Sequence, residues 1–165
     1  MRAALTVCVL VLLAANGAAG QDGCGRFDWP VDRELALFSD GFMADVESES
    51  ALPKDGVFAL MLEPVSNVIY VVPPERGRDD GLGGVVTLEW ISAGRYQVTL
   101  SGDAWVDAVQ NERRLPALAT TSRTDCPGIR QSLQFRVASL PLTLQFGGAT
   151  VSRLNIAVLR VQAPQ

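Results

Sequence analysis

Val86-Thr87-Leu88-Glu89-Trp90, then Ser92-Ala93-Gly94, then Arg95-Tyr96-Gln97-Val98-Thr99-Leu100, is the run that decides the fold class. Val86, Leu88 and Trp90 alternate with Thr87 and Glu89. Tyr96, Val98 and Leu100 alternate with Arg95, Gln97 and Thr99. A period of two puts successive side chains on opposite faces of an extended chain, so each segment reads as a strand with one buried and one wet face. On this reading Trp90 and Tyr96 are core residues. The small residues between the two segments make a turn.

The pattern continues on both sides. Residues 57–62 and 68–72 are short apolar runs bounded by Pro53, Pro64 and Pro73-Pro74. Residues 104–110 follow the turn at Ser101-Gly102-Asp103. Leu133, Phe135 and Val137, then Leu142, Leu144 and Phe146, alternate with polar residues. Residues 154–161 are apolar at nearly every position, as in a central strand covered on both faces. About eight or nine short strands at this spacing point to a sandwich or barrel. Only residues 31–38 read as a helix, with Val31, Leu35 and Phe38 on one face, so βαβ crossovers are not available. The expected architecture is an antiparallel, jelly-roll-like β-sandwich with one short N-terminal helix. Residues 43–56 read as a polar connection.

The chain has 165 residues, which suits one domain, and 48% of them are hydrophobic. Much of that excess lies at the start. Arg2 is the only charge before Asp22, residues 3–15 are apolar or small apart from Thr6, and Asn16-Gly17-Ala18-Ala19-Gly20 supplies small residues for cleavage. This is the layout of a secretory signal over residues 1–20, too short to span a bilayer as a retained anchor. A lipid on Cys24 would need a different approach sequence from Gln21-Asp22-Gly23. The remainder divides into residues 21–56, with the helix, and residues 57–165, the sandwich, as one domain. The expected location is a periplasm or the cell exterior, with no stable membrane span once the signal is removed.

Loss of Arg2 with that segment moves the formal charge from −4 to −5. A surface of this sign disfavours nucleic acid as a partner. Cys8 leaves with the signal, so Cys24 and Cys126 remain. In an oxidising compartment they are expected to pair with each other; free thiols or a bridge between chains are the alternatives.

The chain contains 0 histidines. Ser-His-Asp and Cys-His nucleophiles, the two-His facial triad and the usual zinc sites are thereby excluded. No cofactor is expected. Asp103 and Asp107 could share a strand face, but four residues separate them by about 13 Å. Glycosidase carboxylates sit roughly 5–9.5 Å apart. Asp103 reads as a turn residue and Asp107 as an outward strand residue. Asp79-Asp80-Gly81 offers oxygens to calcium but lacks the EF-hand spacing; a turn between strands is the simpler reading. Arg113, Arg114 and Arg123 lie in a loop from 111 to 128 and could clamp an acidic ligand. Trp105, sharing a face with Asp107 and Val109, is the best candidate for a surface platform that stacks on a sugar.

Gly94-Arg95-Tyr96-Gln97-Val98-Thr99-Leu100-Ser101, followed by Trp105-Val106-Asp107, resembles the strand–turn–strand core of bacterial pre-peptidase C-terminal (PPC-like) domains. Those are jelly-roll-like sandwiches carried by secreted proteins. The layout Cys24-x-x-Phe27-x-Trp29-Pro30 before a short helix, with Cys126-Pro127-Gly128 before a strand, is similar to small exported bacterial proteins without an assigned activity. Neither resemblance implies a catalytic residue. The expected function is a non-enzymatic binding module for a glycan, an envelope component or a protein. The alternatives are a structural or accessory envelope protein acting through a protein partner, and a carboxylate-based hydrolase.

Overall fold

The structure is a computed structural model that describes residues 23–76 and 80–162. The expected signal and Asp79 lie outside the described residues. A 3-10 turn, Cys24–Arg26, and one helix, α1 (Asp32–Ser39), come first. Twelve strands follow: β1 (Asp45–Glu47), β2 (Ser50–Lys54), β3 (Gly56–Met61), β4 (Glu63–Pro64), β5 (Leu82–Trp90), β6 (Gly94–Leu100), β7 (Trp105–Gln110), β8 (Arg113–Leu115), β9 (Ala119–Ser122), β10 (Gln131–Val137), β11 (Leu142–Ala149) and β12 (Arg153–Arg160).

The strands form two six-stranded sheets. The first has the order β1-β3-β12-β6-β10-β9. The second runs β2-β5-β11-β7-β8, with β4 also beside β5. Pairing is antiparallel except for β1 on β3 and β2 on β5. The sheets pack face to face as a sandwich. Phe58, Val98, Leu100, Phe135, Ile156 and Val158 from the first meet Val86, Leu88, Ala108, Leu142, Leu144 and Phe146 from the second. These are the alternating apolar positions of the sequence, now in one core. β12 lies centrally in its sheet, as its nearly continuous apolar run required: Ile156 and Val158 face this core, and Ala157 and Leu159 face the other side.

Much of the polar faces, expected to be wet, is covered, while Glu89, Arg95 and Arg136 stay exposed. The N-terminal segment covers the outer face of the first sheet. Phe27, Val31 and Phe38 pack there with Ile129, Ala157 and Leu159, and the Cys24–Cys126 disulfide pins the segment across a separation of 102 residues. Beneath it Gln97, Thr99, Ser132 and Gln134 are buried. A polar row under a dry cover must find partners. The Trp29 Nε1–H donates to Ser132 Oγ at 3.1 Å, and the Ser132 and Thr99 hydroxyls bond at 2.8 Å. Gln134 Nε2 donates to Gln97 Oε1, and Gln97 Nε2 donates to the Pro30 carbonyl at 3.4 Å. Glu34 of α1 is 4% exposed in this layer, and burial raises its pKa above the ordinary carboxylate value.

Residues 65–76 form a strap over the outer face of the second sheet. Residues 68–72 are therefore not a strand. Their contacts to the sheet run through side chains, and Pro73-Pro74 offers no N–H with which to extend a ladder. The Tyr70 hydroxyl donates to the Phe146 carbonyl at 3.0 Å. Gln145, fully buried, accepts the Val72 N–H at 3.0 Å and donates to the Val72 carbonyl at 3.1 Å. Gly83 has no side chain because one would collide with Tyr70 and the Phe146 carbonyl.

Three further expectations change. The polar connection at 43–56 holds the edge strands β1 and β2, in which Val46 and Leu52 are the only large aliphatic anchors. Trp90 is 76% exposed: it ends β5 beyond the buried Leu88, where the strand outruns the core. The helix begins at Asp32, with Val31 at its N-cap and Pro30 outside it. No helix among the described residues is long and apolar enough to cross a membrane.

Candidate functional site

β7 starts immediately after the turn at Asp103-Ala104, and its outward face carries Trp105, Asp107 and Val109. The register sets Trp105 opposite Gly147 and Asp107 opposite Gln145 on β11. A Cβ at position 147 would fall inside the Trp105 indole, so glycine makes the seat on which that ring rests. Tyr70 of the strap leans on the same ring, with centroids 5.5 Å apart and planes tilted by 45°. The sequence placed Trp105 on the correct face. It is half-buried rather than a bare platform, and its Nε1–H is enclosed without a partner among the described residues.

Asp107 points outward as expected, yet it is only 9% exposed, because the strap end covers it. Its Oδ2 accepts the Glu75 N–H at 3.4 Å. Burial pushes its carboxyl pKa up, while the Glu75 N–H and the nearby Arg114 guanidinium pull it partly back. The carboxylate thus holds the strap in place just where Glu75 and Arg76 turn toward β7.

These residues wall one side of a groove of about 440 Å³. The other side is β9 and β10, which contribute Thr120, Gln131 and Leu133. Gln131 Nε2 donates to the Ala104 carbonyl and so joins the two sheets at the groove's end. Asp103 lines it too, held by Arg130 Nε at 2.7 Å. One indole, three carboxyl side chains, one guanidinium, one hydroxyl and one amide converge here. Such a set can stack on a ring and bond its polar substituents.

The expected arginine clamp does not form as one unit. Arg113 and Arg114 sit on β8, not in a loop, and neighbours on a strand face opposite ways. Arg114 lines a separate hollow with Pro73, Pro74 and Pro116, and Arg113 lines neither this hollow nor the groove. Arg123 follows β9 and reaches a third hollow that shares Asp103 with the groove. Asp80 is exposed at a bend, and Asp79 lies outside the described residues, so the calcium reading gains no ligand set there. Among the described residues no group of three or more His, Cys, Asp or Glu could hold a metal ion. Sequence reasoning missed Glu75, Arg76, Thr120 and Gln131. Thr120 and Gln131 carry no local signal, while the Pro73-Pro74 pair before Glu75 marks a stiff approach to the site.

Fold and site together define a two-sheet β-sandwich with covered outer faces and a polar groove at its edge. The chain matches no family model, no curated protein and no solved structure.

Proposed function

We propose that the protein is an exported, non-enzymatic binding module that takes a glycan into the groove between β7 and β9-β10. The observation that carries this is the composition of that groove: a single aromatic, Trp105, among Arg76, Asp103, Asp107, Thr120 and Gln131. A sugar presents an apolar C–H face to an indole and hydroxyls to carboxylates and amides, so this mixture suits it better than an apolar ligand. The N-terminal signal pattern and the disulfide both support an oxidising compartment.

The test is thermal unfolding of the mature protein against a panel of oligosaccharides and cell-wall fragments. A ligand at 100 times its Kd adds about 2.7 kcal/mol to stability. For a domain of this size that is a Tm rise of roughly 5–10 °C. The rise is expected for one glycan class and is expected to shrink in Gln131→Ala. A flat panel at millimolar ligand would overturn the reading. Cleaved product that disappears in Asp107→Asn would replace it with a carboxylate-based hydrolase.

One observation favours a second reading, an accessory role through a protein partner. Trp90 stands 76% exposed at the far end of β5. Crosslinking in cells from position 90 to a single envelope protein, together with a flat glycan panel, would favour it.

A further inference from the structure

The groove does not end at Asp103. The hollow beyond it, about 240 Å³, is lined by Asp103, Ser122, Arg123, Thr124, Asp125 and Arg130. Asp103 is a wall of both spaces. The two arginines are held from behind by the protein itself. Arg123 donates from Nε at 2.9 Å and from Nη2 to the Arg26 carbonyl. Arg130 donates from Nε to Asp103 and from Nη1 to the Arg123 carbonyl at 3.3 Å. Arg26 in turn pairs with Asp125.

Two consequences follow. First, Arg123 is held along its Nε–Nη2 edge and Arg130 through Nε and Nη1 on different sides, while Arg123 Nη1 and Arg130 Nη2 have no partner among the described residues. A guanidinium already oriented loses little freedom when its remaining N–H groups bind an oxyanion. Second, the lining balances Arg123 and Arg130 against Asp103 and Asp125, and Arg26, outside the lining but paired with Asp125, tips the cluster to net positive on a chain whose formal charge is −4. Ser122 and Thr124 add hydroxyls that an oxyanion can also use.

We propose that the ligand is an anionic oligosaccharide, one ring lying at Trp105 and an acidic substituent, carboxylate or sulfate, passing Asp103 to be held by Arg123 and Arg130. This rests on the glycan reading of the groove and adds the charge class and the polarity of the bound chain.

The test is calorimetric titration of the mature protein with three oligosaccharides of equal length: neutral, uronate-bearing and sulfated. At least one acidic ligand is expected to bind ten-fold or more tightly than the neutral one. That ratio is expected to fall as salt is raised from 50 to 500 mM. The comparison of uronate with sulfate distinguishes the two sources of charge. Arg123→Gln is expected to collapse the acidic-to-neutral ratio toward one. Where that variant does not fold, Arg123→Lys serves instead: it keeps the charge, loses the guanidinium's hold on the Arg26 carbonyl, and is expected to give an intermediate ratio. Equal affinity for neutral and acidic ligands, or a ratio indifferent to salt, overturns the anionic subsite and leaves the glycan reading standing. No binding of any of the three at millimolar concentration overturns both.

Discussion

Replacing Gln145 with leucine tests whether the strap over the second sheet is held as described. Gln145 is fully buried, and its amide makes a closed pair of bonds with the Val72 backbone at 3.0 and 3.1 Å. Leucine has a comparable volume but neither donor nor acceptor. Two neutral hydrogen bonds contribute about 0.5–1.5 kcal/mol each after exchange with water. If the strap stayed down, the Val72 N–H and C=O would be stranded at a further cost of about 1–3 kcal/mol each. The strap can escape that cost by lifting into water, and it then gives up the Tyr70 bond to Phe146 and the Asp107 bond to Glu75 instead. Staying down thus costs about 3–9 kcal/mol and lifting, which forgoes four bonds, about 2–6 kcal/mol; the cheaper route sets the loss, and at about 2–4 °C per kcal/mol the Tm falls by roughly 5–20 °C. Thermal unfolding reads the total. Hydrogen exchange reads the route, because the Glu75 amide, three residues from Val72, is expected to lose protection along with it. A Tm within 1 °C of wild type would refute the account of the strap, whereas a Glu75 amide protected as before beside a lowered Tm marks the route in which the strap stays down.

Three other perturbations follow from the same architecture. Removing both cysteines, as Cys24→Ala with Cys126→Ala, releases a loop that spans 102 residues in sequence; the expected loss is up to about 4–5 kcal/mol by denaturant unfolding, and a loss under about 1 kcal/mol would show that the N-terminal segment docks without the bridge. Glu34 has its pKa raised by burial, so between its ordinary value and the raised one the folded state holds a proton that the unfolded state has released, and stability falls as pH rises through that window. Glu34→Gln is expected to flatten this slope in pH-dependent unfolding and to leave the variant more stable than wild type at neutral pH; an unchanged slope counts against the buried position. Gly147→Ala drives a Cβ into the Trp105 ring, at an expected cost of about 1–3 kcal/mol, with a shift in tryptophan emission that an undisplaced ring would not give.

The alternating runs made the sandwich legible because they are local. Val86 and Leu88, or Val98 and Leu100, announce an inward face within a few residues. The same runs misled about the opposite face. Thr99, Gln97 and Gln134 look like residues that meet water, and each is buried under a segment more than 50 residues away in sequence. Polarity in a strand reports only that the side chain needs partners; whether water or another segment supplies them is a tertiary fact. Trp90 fails in the opposite sense. It keeps the inward phase of β5, but phase says nothing about where the facing sheet stops. Part of the candidate site was legible for the same reason. Trp105 and Asp107 share a strand, whereas Thr120, Gln131, Glu75 and Arg76 come from three other parts of the chain. The arginines were seen as a cluster because they are near in sequence, and β8 separates Arg113 from Arg114 for that very reason.

The covered faces also bear on where binding can occur. In an open sandwich either sheet could present its outer face to a partner. Here the disulfide-pinned N-terminal segment covers much of one face and the strap part of the other, which leaves the edges and ends as the more open surface. The groove is such an edge, and the strap builds part of it. Asp107 belongs to both: its carboxylate holds the Glu75 N–H and lines the groove. A ligand hydroxyl that donates to Asp107 therefore meets an acceptor already shared with the strap, and the second oxygen of the carboxylate allows both bonds at once. Binding then tightens the strap rather than displacing it. On this argument a glycan that raises the Tm also slows exchange at the Glu75 amide, while a compound that raises the Tm from elsewhere on the surface leaves that amide unchanged.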